Sequence, residues 1–165
     1  MSEPTRTDAA RRLTDLIEGI DFCMLTTVGA DGSLRSRPLS TQDAECDGTL
    51  WFFINDDSSK VGEIQRESHV NVSYANPSKQ RYVSVSGRAT LVRDREKMKQ
   101  YWKPILKAWF PDGLDDPHLA LLKVDAEKAE YWDSPSSVVM HVIGFVKAMA
   151  TGKEYEPGEN VKVNL

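Results

Sequence analysis

Residues 22–41 read FCMLTTVGADGSLRSRPLST, and this stretch predicts a β-hairpin. Its first third, Phe22–Val28, is apolar and β-branched, and side chains from Ser33 to Thr41 alternate across a second strand. Between them, Asp31 and Gly32 supply turn chemistry, because an Asp-Gly pair tolerates positive φ. Pro38 has no backbone N–H, so we expect an edge strand, a bulge or a ligand-facing position there.

Further elements are predicted on both sides of this hairpin. Helical periodicity predicts a helix over residues 7–19, capped by Thr7. Downstream, the predicted strands are Thr49–Asn55, Val70–Ala75, Tyr82–Val92 with a bulge at Gly87, Ala120–Val124 and Ala129–Asp133. The predicted helices are a short one after Ser59 that ends near Glu67, one or two shorter ones over Asp94–Phe110 divided at Pro104, and a last one over Ser137–Ala150.

This order of elements favours an α+β fold with an antiparallel sheet closed into a small barrel. Six or seven strands are joined by short turns, and there is no regular strand–helix alternation of the kind a parallel sheet needs. The chain has 165 residues, which is about one domain. We predict a single domain over residues 1–152 and a loose polar tail over 153–165.

Composition and charge exclude several classes of protein. The 21 basic and 25 acidic residues leave a net charge of −4, so we expect no nucleic-acid partner. No apolar run is long enough to span a membrane, and the polar start predicts a cytoplasmic protein. Cys23 and Cys46 lack the spacing of a disulfide or redox motif. The histidines His69, His118 and His141 stand apart, which predicts no metal site.

Two arginines of the hairpin form the first candidate binding motif. Arg35 and Arg37 are two residues apart on a strand and therefore project to the same face. A guanidinium offers a fixed fork of donors that suits phosphate. The alternative is an exposed, charged strand face.

The second motif lies where a strand ends and a helix begins. Ser58, Ser59 and Lys60 fall in the first turn of that helix, where free amides and the helix dipole attract anions. In the alternative interpretation, Asp57 merely caps the helix. Taken together, the two motifs could grip one phosphate from two sides, since Arg37 and Lys60 match the charge of about −2 on a phosphomonoester.

The order of these motifs resembles the pyridoxamine-phosphate-oxidase-like, FMN-binding split barrels, and most closely the general stress protein 26 branch. The resemblance covers residues 8–150. It rests on the opening helix and on Phe22–Thr27, Asp31-Gly32, Arg35–Leu39, Leu50–Phe53, Ser58–Lys60, Tyr82–Ala89 and Ala129–Asp133.

The resemblance implies a six-stranded antiparallel split β-barrel that forms a homodimer, with FMN at the subunit interface. It implies that Arg37 and the Ser58, Ser59 and Lys60 turn bind the phosphate. The residues that it implies around the ring are Pro38, Leu39, Phe53, Ile54, Asn55, Tyr82, Trp109 and Trp132. Tyr82 replaces a ring-contacting glutamine, and Ser59 replaces a basic residue of the oxidase.

The resemblance leaves the reaction open. The substrate-binding tail of the oxidase is not recognisable, so pyridoxamine oxidation is not carried over, and no catalytic residues are assigned. The expected function is that of an FMN-dependent oxidoreductase of unknown substrate. The alternatives are a reductase that uses NAD(P)H or deazaflavin F420, and a non-catalytic stress protein that binds flavin or haem.

Overall fold

We analysed a computed structural model, which describes residues 5–42, 44–45, 47–134, 146–147, 149–152 and 158–165. Its strands are β1 (Phe22–Val28), β2 (Leu34–Ser40), β3 (Thr49–Asn55), β4 (His69–Asn76), β5 (Arg81–Val92), β6 (Leu119–Asp133) and β7 (Glu159–Asn164). Its α-helices are α1 (Arg6–Ile17), α2 (Ser59–Arg66) and α3 (Arg95–Tyr101).

The strands form one antiparallel sheet in the order β2-β1-β4-β5-β6-β3. The sheet curls into a six-stranded half-barrel, which confirms the predicted split-barrel α+β class. β2 is an edge strand, and this explains how it accommodates Pro38. The predicted hairpin β1–β2 is confirmed, and its register places Met24 opposite Pro38.

The inner face of the curled sheet holds the main hydrophobic core. Alternate side chains such as Leu25, Val72 and Val85 point inward and are fully buried, as the two-residue period of a strand requires. Helix α1 covers this face with Leu13, Leu16, Ile17 and other apolar side chains. No described helix is both long enough and apolar enough to span a membrane.

Helix α1 begins two residues earlier than the predicted cap implied. Thr5, and not Thr7, is the N-cap: its hydroxyl accepts from the Asp8 amide, and the Asp8 carboxylate accepts from Thr5 in return. This reciprocal capping box satisfies two otherwise free donors, which Thr7 could not do from inside the first turn.

The β5–β6 ladder contains the predicted bulge. The register between these strands shifts between Ser86 and Gly87. A Cβ atom on Gly87 would overlap the carbonyl group of Asp125 on β6. Glycine is therefore required here by the close approach of two backbones, and the prediction is confirmed.

Two predictions about the second half of the sheet are wrong. The two strands predicted over residues 120–124 and 129–133 are one strand, β6, because the bulge absorbs the irregular pairing near Ala126 without ending the ladder. The predicted loose tail includes β7, which pairs with β6 from Lys128 to Asp133, beyond the part of β6 that pairs with β3. Val161 and Val163 pack against the core and stabilise it there.

Residues 93–118 connect β5 to β6 and cover the outer face of β3. They form α3 and two 3-10 turns, Pro104–Ala108 and Gly113–Asp115, so the predicted helix over 94–110 is indeed divided near Pro104. A second core joins Trp51 and Phe53 of β3 to this connection; its other members are Met98, Tyr101, Leu106, Phe110, Leu119 and Leu121. Residues 137–145 and 148 of the predicted last helix lie outside the described residues; 146–147 and 149–151 are helical.

Candidate functional site

A cavity of about 320 Å³ lies where β3 ends and α2 begins. Its walls come from the hairpin, from the end of β3, from the start of α2 and from the 93–118 connection. The lining residues are Phe22, Pro38, Leu39, Ser40, Phe53, Ile54, Asn55, Ser58, Lys60, Leu106, Trp109 and Phe110. The volume is within the range of small-molecule sites.

Eight of the twelve residues predicted for the cofactor site line this one cavity. They are Pro38, Leu39, Phe53, Ile54, Asn55, Ser58, Lys60 and Trp109. The structure thus brings the hairpin and the β3–α2 junction together around one cavity. Sequence reasoning missed Phe22, Ser40, Leu106 and Phe110. Of these four, only Phe22 could have been predicted from the sequence pattern, because it is an aromatic residue at an outward position of an otherwise regular strand.

The cavity has a polar end and an aromatic end. Asn55, Ser58 and Lys60 form the polar end, next to the first turn of α2. The aromatic end is the part of the lining where Trp109 packs edge-on against Phe22, with ring centroids 5.8 Å apart. Half of the Trp109 surface remains exposed. The arrangement suits a ligand with a flat apolar part and an anionic part.

The N-terminus of α2 has no side-chain cap. Ser58 is the N-cap residue, but its hydroxyl donates to the Asn55 carbonyl at 2.7 Å and caps no amide. The first turn contains no acidic side chain either. The alternative in which Asp57 caps the helix is therefore not what the structure shows. The Val61 amide donates to the Ser58 carbonyl, and the Ser59 and Lys60 amides, together with the positive end of the helix dipole, are left for an anion.

Two cations converge on this helix end. Burial lowers the pKa of the Lys60 ammonium, and the nearby positive charge of Arg37 lowers it further. Among the described residues, no carboxylate lies within ion-pair distance of Lys60. Asp57 and Glu63 offset only part of this lowering, and like charges held together in a partly buried place favour a further anion beside them. This pair indicates where an anionic ligand would bind.

Arg37 is held from behind by a buried hydrogen-bond network. Its Nη1 donates to Thr27 Oγ1 at 2.6 Å and its Nη2 donates to Glu63 Oε2 at 2.8 Å. Arg35 donates to the other oxygen of the same carboxylate at 2.7 Å. Both arginines thus project to one face as predicted, but Arg37 is largely buried and belongs to a built network, unlike an exposed charged strand face.

Glu63 is the buried centre of this network. It lies on α2 and is only 5% exposed. The hydrogen bond from Thr27 lowers its pKa most, and the charges of Arg37 and Arg35 lower it further. A carboxylate so buried requires several donors to remain charged, and Glu63 has three.

Asp56 beside the turn is neutralised by its own partners. Arg93 donates to its carboxylate at 2.9 Å, and the His118 ring lies 3.0 Å from it. These contacts lower the pKa of Asp56, chiefly through Arg93, and Asp56 in turn raises the pKa of His118. Arg93 and His118 thus compensate the negative charge of Asp56 next to the start of α2. Among the cysteines and histidines that the sequence places far apart, Cys46 and His141 lie outside the described part of the chain.

Four predicted residues do not line the cavity. Arg37 belongs instead to the network with Thr27 and Glu63 described above. Ser59 faces an open groove on the other side of α2. Tyr82 and Trp132 lie opposite each other on β5 and β6, with 40% and 41% of their surfaces exposed on the outer face of the sheet.

Comparison with known proteins agrees with the fold. A family model described as pyridoxamine 5'-phosphate oxidase like matches residues 8–156. The chain belongs to the pyridoxamine 5'-phosphate oxidase-like family. Protein bli-3 of Neurospora crassa is 31% identical over 151 residues, which cover 86% of this chain and 72% of that protein.

Solved structures of other proteins extend the comparison. The general stress FMN/FAD binding protein of Xanthomonas citri is 27% identical, with a TM-score of 0.67 and coverage of 78% of this chain and 91% of its own. A Clostridium acetobutylicum protein related to general stress protein 26 of Bacillus subtilis has a TM-score of 0.71 and covers 96% of each chain. At 16% identity, it shows only that the oxidase-like family fold is shared.

Proposed function

We propose that this protein binds FMN in the cavity between β3 and α2, with the phosphate at the polar end. The observation that carries the proposal is that Lys60, which has no carboxylate within ion-pair distance among the described residues, lines the cavity at the uncapped N-terminus of α2, with the positive charge of Arg37 nearby. The family membership and the flavin named for the Xanthomonas citri relative support it.

The aromatic end of the cavity fits the flat ring system of a flavin. Phe22, Phe53, Trp109 and Phe110 offer aromatic surface, and flat rings pack well against such surfaces. Strand β2 is at the edge of the sheet, so one side of its backbone is not paired with another strand, and its residues Pro38 and Leu39 line the cavity. Edge backbone groups of this kind can hydrogen-bond the polar rim of a ring.

We propose further that the working unit is a homodimer with FMN at the subunit interface. The sheet register places Phe22, Tyr82 and Trp132 along one transverse row of the outer face. Adjacent strands are about 4.8 Å apart, so this exposed aromatic row begins at the cavity and leads away from it. A second copy packed on the row would bury it and bring its own Trp132 to the flavin.

The proposed activity is that of an FMN-dependent oxidoreductase. Bound flavin would supply hydride or electron exchange. The residues of this chain would bind the phosphate, orient the ring and exclude water from one of its faces. The sequence indicates no acid–base pair for substrate chemistry. Asp56 and His118 contact each other, but Asp56 also forms an ion pair with Arg93.

Titration of the purified protein with FMN and with riboflavin tests the proposal. We expect FMN to bind at least about tenfold more tightly, since a hydrogen bond to a charged group is worth about 1.5–3 kcal/mol. Equal affinities, or no binding of either flavin, would overturn it.

Stopped-flow mixing of the FMN-loaded protein with NADPH, NADH or reduced deazaflavin F420 then identifies the electron donor. A failure of all three to reduce the ring, or a preference for haem, favours the non-catalytic alternatives.

The dimer is tested by replacing Trp132 with arginine. We expect Trp132→Arg to shift the protein towards monomer in sedimentation experiments, because a charge would be buried in the aromatic interface. The control is Ile105→Arg, at a position that is 66% exposed and off the row, which should leave the mass unchanged. A monomeric wild-type protein, or an unaltered dimer in the Trp132 variant, would contradict the arrangement.

A further inference from the structure

The network behind Arg37 leaves part of its guanidinium unused. A guanidinium has five N–H donors, and Arg37 directs one from Nη1 to Thr27 and one from Nη2 to Glu63. Within the described part of the chain, no other acceptor lies within hydrogen-bond distance of Arg37. Three donors therefore remain, and the two bonds that are made determine which way they point.

Glu63 links the two elements that build the anion site, the proposed phosphate position next to Lys60 and Arg37. It belongs to α2, whose N-terminus forms one side of the site, and it binds Arg37 of β2, which forms the other side. Thr27 of β1 closes the arrangement: its hydroxyl donates to Glu63 Oε2 at 2.5 Å and accepts from Arg37. A side chain with both hydrogen-bond roles in use has little freedom to rotate, so Arg37 is fixed relative to the helix.

Arg35 explains how Glu63 can hold Arg37 without cancelling its charge. Its Nη1 binds Oε1 of Glu63, whereas Arg37 binds Oε2. Two guanidinium groups thus share one carboxylate, and the three side chains together keep one positive charge. The Arg35 side chain is more than half exposed, so it makes this contact from the solvent side.

We propose that Glu63 is a positioning residue for the flavin phosphate, acting through Arg37 and with Thr27 as its bridge. This inference rests on the proposed FMN site. By itself, a buried acidic residue would repel phosphate. In this proposal, Glu63 instead increases the affinity for phosphate. Pre-organised donors bind more tightly because less freedom is lost on binding.

A double-mutant cycle tests this role. We expect Glu63→Gln to weaken FMN binding about tenfold, within the range of coupling energies for residues in one network, and to change riboflavin binding less than about twofold, because riboflavin has no phosphate. In an Arg37→Met background, Glu63→Gln should cause no further loss of FMN affinity. Thr27→Val, which removes the bridging hydroxyl at nearly constant volume, should reproduce the selective loss and serves if the Glu63 variant does not fold.

Three results would overturn the inference while leaving the FMN site intact. They are equal losses for FMN and riboflavin, an undiminished loss in the Arg37→Met background, or a gain in FMN affinity in Glu63→Gln. The last result would mean that Glu63 merely opposes the ligand charge. Absence of FMN binding by the wild-type protein would instead overturn the proposed function, and the positioning role with it.

Discussion

Lys60→Ala is expected to weaken FMN binding by about 1.5–3 kcal/mol, the scale of a hydrogen bond to a charged group. Lys60 lines the cavity and lies in the first turn of an uncapped helix, and no carboxylate in the described part of the chain is within ion-pair distance of it. Its ammonium group is therefore free to bind the phosphate. Fluorescence titration with FMN and riboflavin measures the effect, and riboflavin affinity should stay the same.

The matched control is Lys99→Ala. Lys99 is an exposed residue of α3, pairs with Glu96 and lines none of the cavities described above. FMN affinity should not change in this variant. Equal losses for FMN and riboflavin in Lys60→Ala, or a similar loss in Lys99→Ala, would show that Lys60 does not contact the phosphate.

Gly87→Ala is expected to destabilise the fold by about 3 kcal/mol, at the upper end for overpacking a well-packed interior. The new methyl group would overlap the backbone carbonyl of Asp125 in the β5–β6 ladder, and backbone cannot move aside as a flexible side chain can. Thermal unfolding should show a Tm lowered by about 6–12 °C for a chain of this size.

Gly62→Ala is the matched control for this prediction. Gly62 lies within α2, and a Cβ atom there would meet no atom within 4 Å. Alanine should therefore stabilise the helix by about 0.5–1 kcal/mol. If Gly87→Ala melts at the wild-type temperature, the bulge relaxes more easily than the close backbone approach implies.

The aromatic wall of the cavity shows why part of the site escaped prediction. Leu106 and Phe110 follow a proline in a segment whose sequence carries no binding motif. They reach the cavity because the 93–118 connection folds back over β3 and packs on Phe53. Such a contact depends on apolar burial between distant parts of the chain, which has no local signature.

Tyr82 and Trp132 show the reverse case. The family resemblance assigned them to the flavin, and their pairing across β5 and β6 agrees with two adjacent strands. Only the structure places both away from the cavity of their own chain, although Phe22, which lines the cavity, lies on the same outer face. Sequence period distinguishes the two faces of a strand, but it does not say which positions on a face come next to a ligand.

By itself, the sequence determined the features that depend on near neighbours. Turn chemistry at Asp31 and Gly32, two-residue alternation along β1, and the strand-to-helix transition before Lys60 are local, so the hairpin and the polar end of the site could be predicted. The tertiary structure alone decided which distant groups meet: Glu63 with Arg35 and Arg37, β7 with β6, and Phe110 with Phe53. These pairings depend on how the curled sheet brings separate segments together, and the local sequence around a residue does not indicate which distant residue it will contact.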